Sequence, residues 1–185
     1  MALAATFRTL REKLESVRVA LAELNVVSGG IDRNAVRLPT VPRPVEQFQE
    51  NIEELSAEVE EAIRAADEGV AATRGAKPDL RDARRALATT HRLALRALES
   101  CSGKVASHAT LNKLESQSLR GTQMKKWLQA VNGRVEASMA ALLAVQDAVL
   151  ECWETISELP AGNSMRPREL TPVLSSVLPL PPKFF

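Results

Sequence analysis

Apolar residues recur along the chain at alternating steps of four and three. The longest unbroken run lies between Thr122 and Leu159: Met124, Leu128, Val131, Val135, Ser138, Leu142, Val145, Val149, Cys152, Ile156 and Leu159. This spacing places one stripe on one face of an α-helix and, at 1.5 Å per residue, predicts an element on the order of 55 Å long. A stripe of that length needs other long helices to cover it. Beside it runs a row of small residues, Ala130, Ala137, Ala141, Ala144 and Ala148, which predicts a closely approaching neighbour and a buried face wider than a two-stranded contact.

The same steps recur upstream. Leu3, Phe7, Leu10, Leu14, Val17, Leu21 and Leu24 define a first helix, with Ser28-Gly29-Gly30 as its stop. Residues 28 to 44 then hold Gly-Gly and several prolines, so the connection is long and extended and crosses the end of a bundle. Pro42 and Pro44 fix its backbone and deliver it to the first turn of the next helix. Val45, Phe48, Ile52, Leu55, Val59, Ala62 and Ala66 form the inner face of helix two, which fades at Gly69. After a turn over 74 to 78, Asp79 is placed to cap helix three, whose face reads Leu80, Ala83, Leu87, Ala94, Ala97, Leu98 and Cys101. The pattern is interrupted at Ser102-Gly103. Between there and Gly121, His108, Asn112 and Glu115 dilute it, so a bent continuation, a short separate helix and a partly exposed segment all fit.

After Leu159 the pattern ends, because the six prolines from Pro160 to Pro182 forbid a long helix. The segment is nevertheless apolar. The expected organisation is therefore all-α: residues 1–159 form an elongated bundle of four main long antiparallel helices with a Pro-rich crossover after helix one. Residues 160–185 form an extended, Pro-rich apolar tail. Composition agrees, since aromatic residues are 3% and Tyr is absent, which leaves Leu, Val, Ile and Ala to fill the core, as in helical bundles.

Charge refines the order of packing. Residues 45 to 75 carry nine acids against two bases, and residues 76 to 103 carry six bases against three acids, so helices two and three are expected to be neighbours. An antiparallel hairpin about residues 76 and 77 sets Glu61 beside Arg92 and Glu68 beside Arg85, with Glu58 one residue from the level of Arg96. Such exposed pairs contribute about 0.2–1 kcal/mol each and select register more than they stabilise.

Candidate chemistry is sparse. Arg81, Arg85, Arg92 and Arg96 share one helical side and form a candidate anion-binding stripe for phosphates, although there are few aromatic residues for base stacking. His91 and His108 lack a ligand partner at helical metal-site spacing and no Glu-x-x-His pair exists, so no metal or cofactor is expected and His91 and His108 read as seam or surface residues. Cys101 and Cys152 read as reduced, buried thiols, about 18 Å apart along the axis if helices three and four form a hairpin about Gly121. No phosphate-cradling Gly loop or nucleophile elbow occurs, so no catalytic residue is assigned.

With a formal net charge of +1 and no apolar run near 18 residues, neither bulk polyanion attraction nor a membrane partner is expected. The default compartment is cytoplasmic. The acid-free opening MALAATFRTLR makes organelle import a minor alternative. The functional expectation is a non-enzymatic structural or adaptor subunit of a larger protein assembly, with other protein subunits, themselves helical, as partners. Two alternatives are a nucleic-acid-binding bundle using the arginine stripe and an enzyme with a dispersed site. The expected partner-binding residues are Leu174, Val177, Leu178, Pro179, Leu180, Phe184 and Phe185: they seek burial, yet the prolines stop them from folding on themselves. Such a tail docks in a groove of its own bundle or of another chain. Pro179 and Pro182 form a P-x-x-P, but Lys183 directly after them fits neither usual SH3-ligand orientation.

Overall fold

A computed structural model describes residues 2–31, 43–74, 77–106 and 122–159, and these form an up-down-up-down bundle of four helices. They are α1 (Ala2–Ser28), α2 (Pro44–Ala72), α3 (Leu80–Ser100) and α4 (Thr122–Ser157). Each helix packs against two neighbours, in the ring α1, α2, α3, α4 and back to α1. The cross-helix ion pairs show the antiparallel order. Arg11 meets Asp67 at 2.7 Å and Arg18 meets Glu60 at 3.9 Å, so residue numbers on α1 and α2 run in opposite directions at a constant sum. The end of α1 and the start of α2 thus lie at the same end of the bundle.

The seams close on one another. All seven heptad positions named on α1 and all seven on α2 are buried, as are Leu128, Val131, Val135, Ser138, Leu142, Val145, Val149, Cys152 and Ile156 on α4. Each branched side chain removed from water this way stabilises by about 1.5–3 kcal/mol. This burial is achieved within a single chain, with Met124 and Leu159 at the ends of the α4 seam and Leu80 at the start of α3 half-buried. On α3 the seam contains more polar atoms than its spacing predicts: Thr90 and His91 fill the gap between Leu87 and Ala94, and both are buried. Thr90 satisfies its hydroxyl by donating to the Ala86 carbonyl at 2.9 Å.

The alanine row does not behave as one face. Ala148 is buried, Ala141 and Ala144 are half-buried, and Ala130 and Ala137 are exposed, because the row lies on the flank of α4 and helix phase turns Ala130 and Ala137 further from the seam than Ala141 and Ala148. Helix boundaries depend on local chemistry. Asp79 caps α3 by accepting from the backbone N–H groups of Arg81 and Asp82, both at 3.0 Å, an arrangement worth about 1 kcal/mol. Pro44 occupies the first turn of α2, and Arg43 before it adopts a left-handed conformation with φ of 60°, a strained state for a residue with a Cβ.

Two interruptions differ from expectation. Helix α2 does not fade at Gly69 but runs through it to Ala72, because Gly69 is where the Phe7 ring of α1 lies against the α2 backbone. The break at Ser102-Gly103 is a single π turn over Cys101–Val105, closed by Ala106 N–H donating to the Cys101 carbonyl at 2.6 Å. One wide turn adds a residue without ending the helix, so Cys101, Val105 and Ala106 all stay buried. Lys104, carried by that turn, reaches Glu54 of α2 at 2.6 Å.

Candidate functional site

The outward face of α3 carries the arginine stripe. Arg81, Arg85, Arg92 and Arg96 are set at helical steps that keep them on the side opposite the buried Ala83, Leu87 and Ala94. Helices α2 and α3 are neighbours, as their charges predict, and Glu58 pairs with Arg96 at 2.8 Å. The rest of the expected zipper does not close. Among the described residues, Glu61 and Arg92 make no ion pair, and Glu68 and Arg85 share the wall of a surface depression of about 430 Å³, with Asp82, without pairing. Long exposed side chains lose more entropy on pairing than a solvated contact returns, so register alone does not bring them together. Arg81, Arg85 and Arg92 thus point outward with no acidic partner among the described residues. Asp82 and Glu68 nearby keep the field mixed in sign.

The expected partner-binding residues Leu174, Val177, Leu178, Pro179, Leu180, Phe184 and Phe185 lie outside the described residues, as does His108.

A surface that the heptad pattern misses lies on α1. Val19 is 53% exposed and Val26 76% exposed, and with Ala22 and Val27 they line an open groove of about 540 Å³ bordered by Arg18, Glu23 and Arg134 of α4. Arg134 and Glu23 form an ion pair across the two helices, and Trp127 anchors the same end by donating its indole N–H to the Val27 carbonyl at 2.9 Å. The sequence did hold a signal for this patch: Val19, Ala22 and Val26 are spaced as one stripe on the polar side of α1.

Inside the bundle, the titratable groups are silenced by burial. His91 is 2% exposed, its Nε2 has no hydrogen-bond partner among the described residues, and burial lowers its pKa from the ordinary 6.5. Burial pushes the Cys101 thiol up to about 12. Cys152 is pushed up to about 11, chiefly by burial, against a hydrogen bond with Thr6 that lowers it. Cys152 thus sits at the start of α1, whereas Cys101 lies near the other end of the bundle, so the thiols are roughly 25–30 Å apart by helix rise, further than the spacing predicts. Both are protonated near neutral pH and neither is a nucleophile there. Among the described residues no three His, Cys, Asp or Glu side chains are grouped to hold a metal ion, and no helix is long and apolar enough to cross a membrane.

His91 makes stability depend on pH with a definite sign. The folded state holds the imidazole neutral, so its contribution is complete above about pH 6.5 and is lost as pH falls, because the unfolded chain takes up the proton first. Melting curves of the native chain and of His91→Leu between pH 8 and 5 should diverge as pH falls, the variant losing less. A difference independent of pH would assign the buried ring no part in the titration.

Compared with protein-family models, curated proteins and solved structures, the chain finds no match.

Proposed function

We propose that this chain is a non-enzymatic structural or adaptor subunit of a cytosolic protein assembly, which binds other protein subunits through its C-terminal segment and its helix surfaces. The observation that supports this reading is the self-sufficiency of the core. The apolar seams of all four helices are buried against one another within one chain, so the bundle needs no further apolar segment to complete it. The eight large apolar residues between Leu170 and Phe185 are therefore surplus to the core and available to a second surface. The test isolates the full chain and a chain lacking residues 171–185 from the native source and weighs the resulting complexes. A stoichiometric protein partner held by the full chain and lost with the tail is the expected result; equal retention by both would overturn the reading.

One observation favours a second reading, nucleic-acid binding: Arg81, Arg85 and Arg92 are outward and unpaired by α2 among the described residues. Three phosphate contacts would make the logarithm of the duplex-binding constant fall against that of salt with a slope of about −3. A flat salt dependence, or binding unchanged in Arg81→Glu, Arg85→Glu, Arg92→Glu protein, eliminates this reading.

A further inference from the structure

We propose that the groove on α1 formed by Val19, Ala22 and Val26 is the intramolecular resting place of the C-terminal segment, residues 174–185. The chemistry on the two sides matches. Val19 and Val26 are, with Leu150, the large hydrophobics most exposed among the described residues, and they lie seven residues apart on one outward line of α1. The segment supplies Leu174, Val177, Leu178, Leu180, Phe184 and Phe185, while Pro179, Pro181 and Pro182 hold it extended and lower the entropy lost when it is laid along a helix.

The reach is adequate. The Glu23 to Arg134 pair and the Trp127 to Val27 hydrogen bond show that α4 runs antiparallel to α1, so Leu159 lies near the level of the first α1 residues. From there to Ala22 is about twenty residues of helix rise, roughly 30 Å. The fifteen residues from Pro160 to Leu174 span about 45 Å in an extended polyproline conformation, so Leu174 and the residues after it can lie on the groove.

Patch size decides between this segment and a second molecule. Two valines and an alanine fall far short of the ~800 Å² per partner that a stable protein interface buries, so a second copy would not be held at ordinary concentrations. A tethered segment experiences an effective concentration of order millimolar, at which a small apolar patch suffices. On the adaptor reading, on which only this consequence rests, a partner must draw the segment off α1 before engaging it.

The test uses paramagnetic broadening in the full chain. A nitroxide on Ser176→Cys is placed selectively, because the buried Cys101 and Cys152 thiols remain protonated at neutral pH. The expected result is a several-fold loss of amide signal over residues 19–26 of α1 and 130–137 of α4, with the outward face of α3 unaffected. Val19→Glu, Val26→Glu protein, altered only at exposed positions and shown folded by circular dichroism, should recover that signal. Broadening confined to another face, broadening spread evenly, or recovery failing in the double variant would overturn the proposal. Broadening that persists when spin-labelled protein is mixed with isotope-labelled, unmodified protein would overturn the proposal and assign the groove to a second copy instead. Loss of partners on tail deletion is a separate measurement, so the adaptor reading and the cis contact fail independently.

Discussion

Replacing Leu142 by alanine is expected to destabilise the bundle by about 2–5 kcal/mol, a fall in melting midpoint of roughly 5–20 °C for a domain of this size. Leu142 is among the largest fully buried side chains and sits midway along α4, where the seams of the helices converge and a cavity cannot relax toward solvent. Alanine is the better helix former, so the loss would arise from packing alone. The comparison is Leu150→Ala on the same helix, where the leucine is 37% exposed and its removal should cost less than about 1 kcal/mol. Equal losses at the two positions would show that the heptad stripe of α4 is not its inner face. Urea unfolding followed by circular dichroism measures both.

The second large effect concerns a residue with no side chain. Gly69→Ala should destabilise by about 1–3 kcal/mol even though alanine is favoured in a helix interior, because a methyl group there would overlap the fully buried Phe7 ring and force it to shift within the packed core. Gly133 on α4 makes the control. A Cβ at Gly133 meets nothing within 4 Å, so Gly133→Ala should stabilise by about 0.5–1 kcal/mol through helix propensity. Opposite signs for one chemical change at two helical glycines separate the helix contact from propensity. Phe7→Leu should restore part of what Gly69→Ala loses, and strict additivity of the two would mean that they do not touch.

Legibility of the candidate site follows the same division between local and tertiary causes. The arginine stripe was visible because four cations at helical spacing share a side whatever covers the helix. Its state of pairing was not, since a shared level leaves open whether two exposed side chains meet: Glu58 and Arg96 do, and Glu61 and Arg92 do not. The α1 groove was obscured for the opposite reason. Val19, Ala22 and Val26 form a short stripe on the polar face, outside the heptad seam, and only the approach of α4, with Arg134 held by Glu23, makes them the floor of a groove.

By itself the sequence determined the helices, their inner faces and the adjacency of α2 and α3, because the period of apolar residues, the Asp79 cap and the segregation of charge act within one helix or one hairpin. The tertiary structure decided what depends on two backbones at a given distance. Gly69 reads as a helix end until Phe7 is placed against it, and His91 reads as seam or surface until the α3 seam closes around it. The alanine row reads as one interface, yet in the bundle Ala148 is buried while Ala130 and Ala137 are exposed. Periodicity specifies direction around a helix axis, whereas burial depends on how closely, and over what length, a neighbour approaches along that direction.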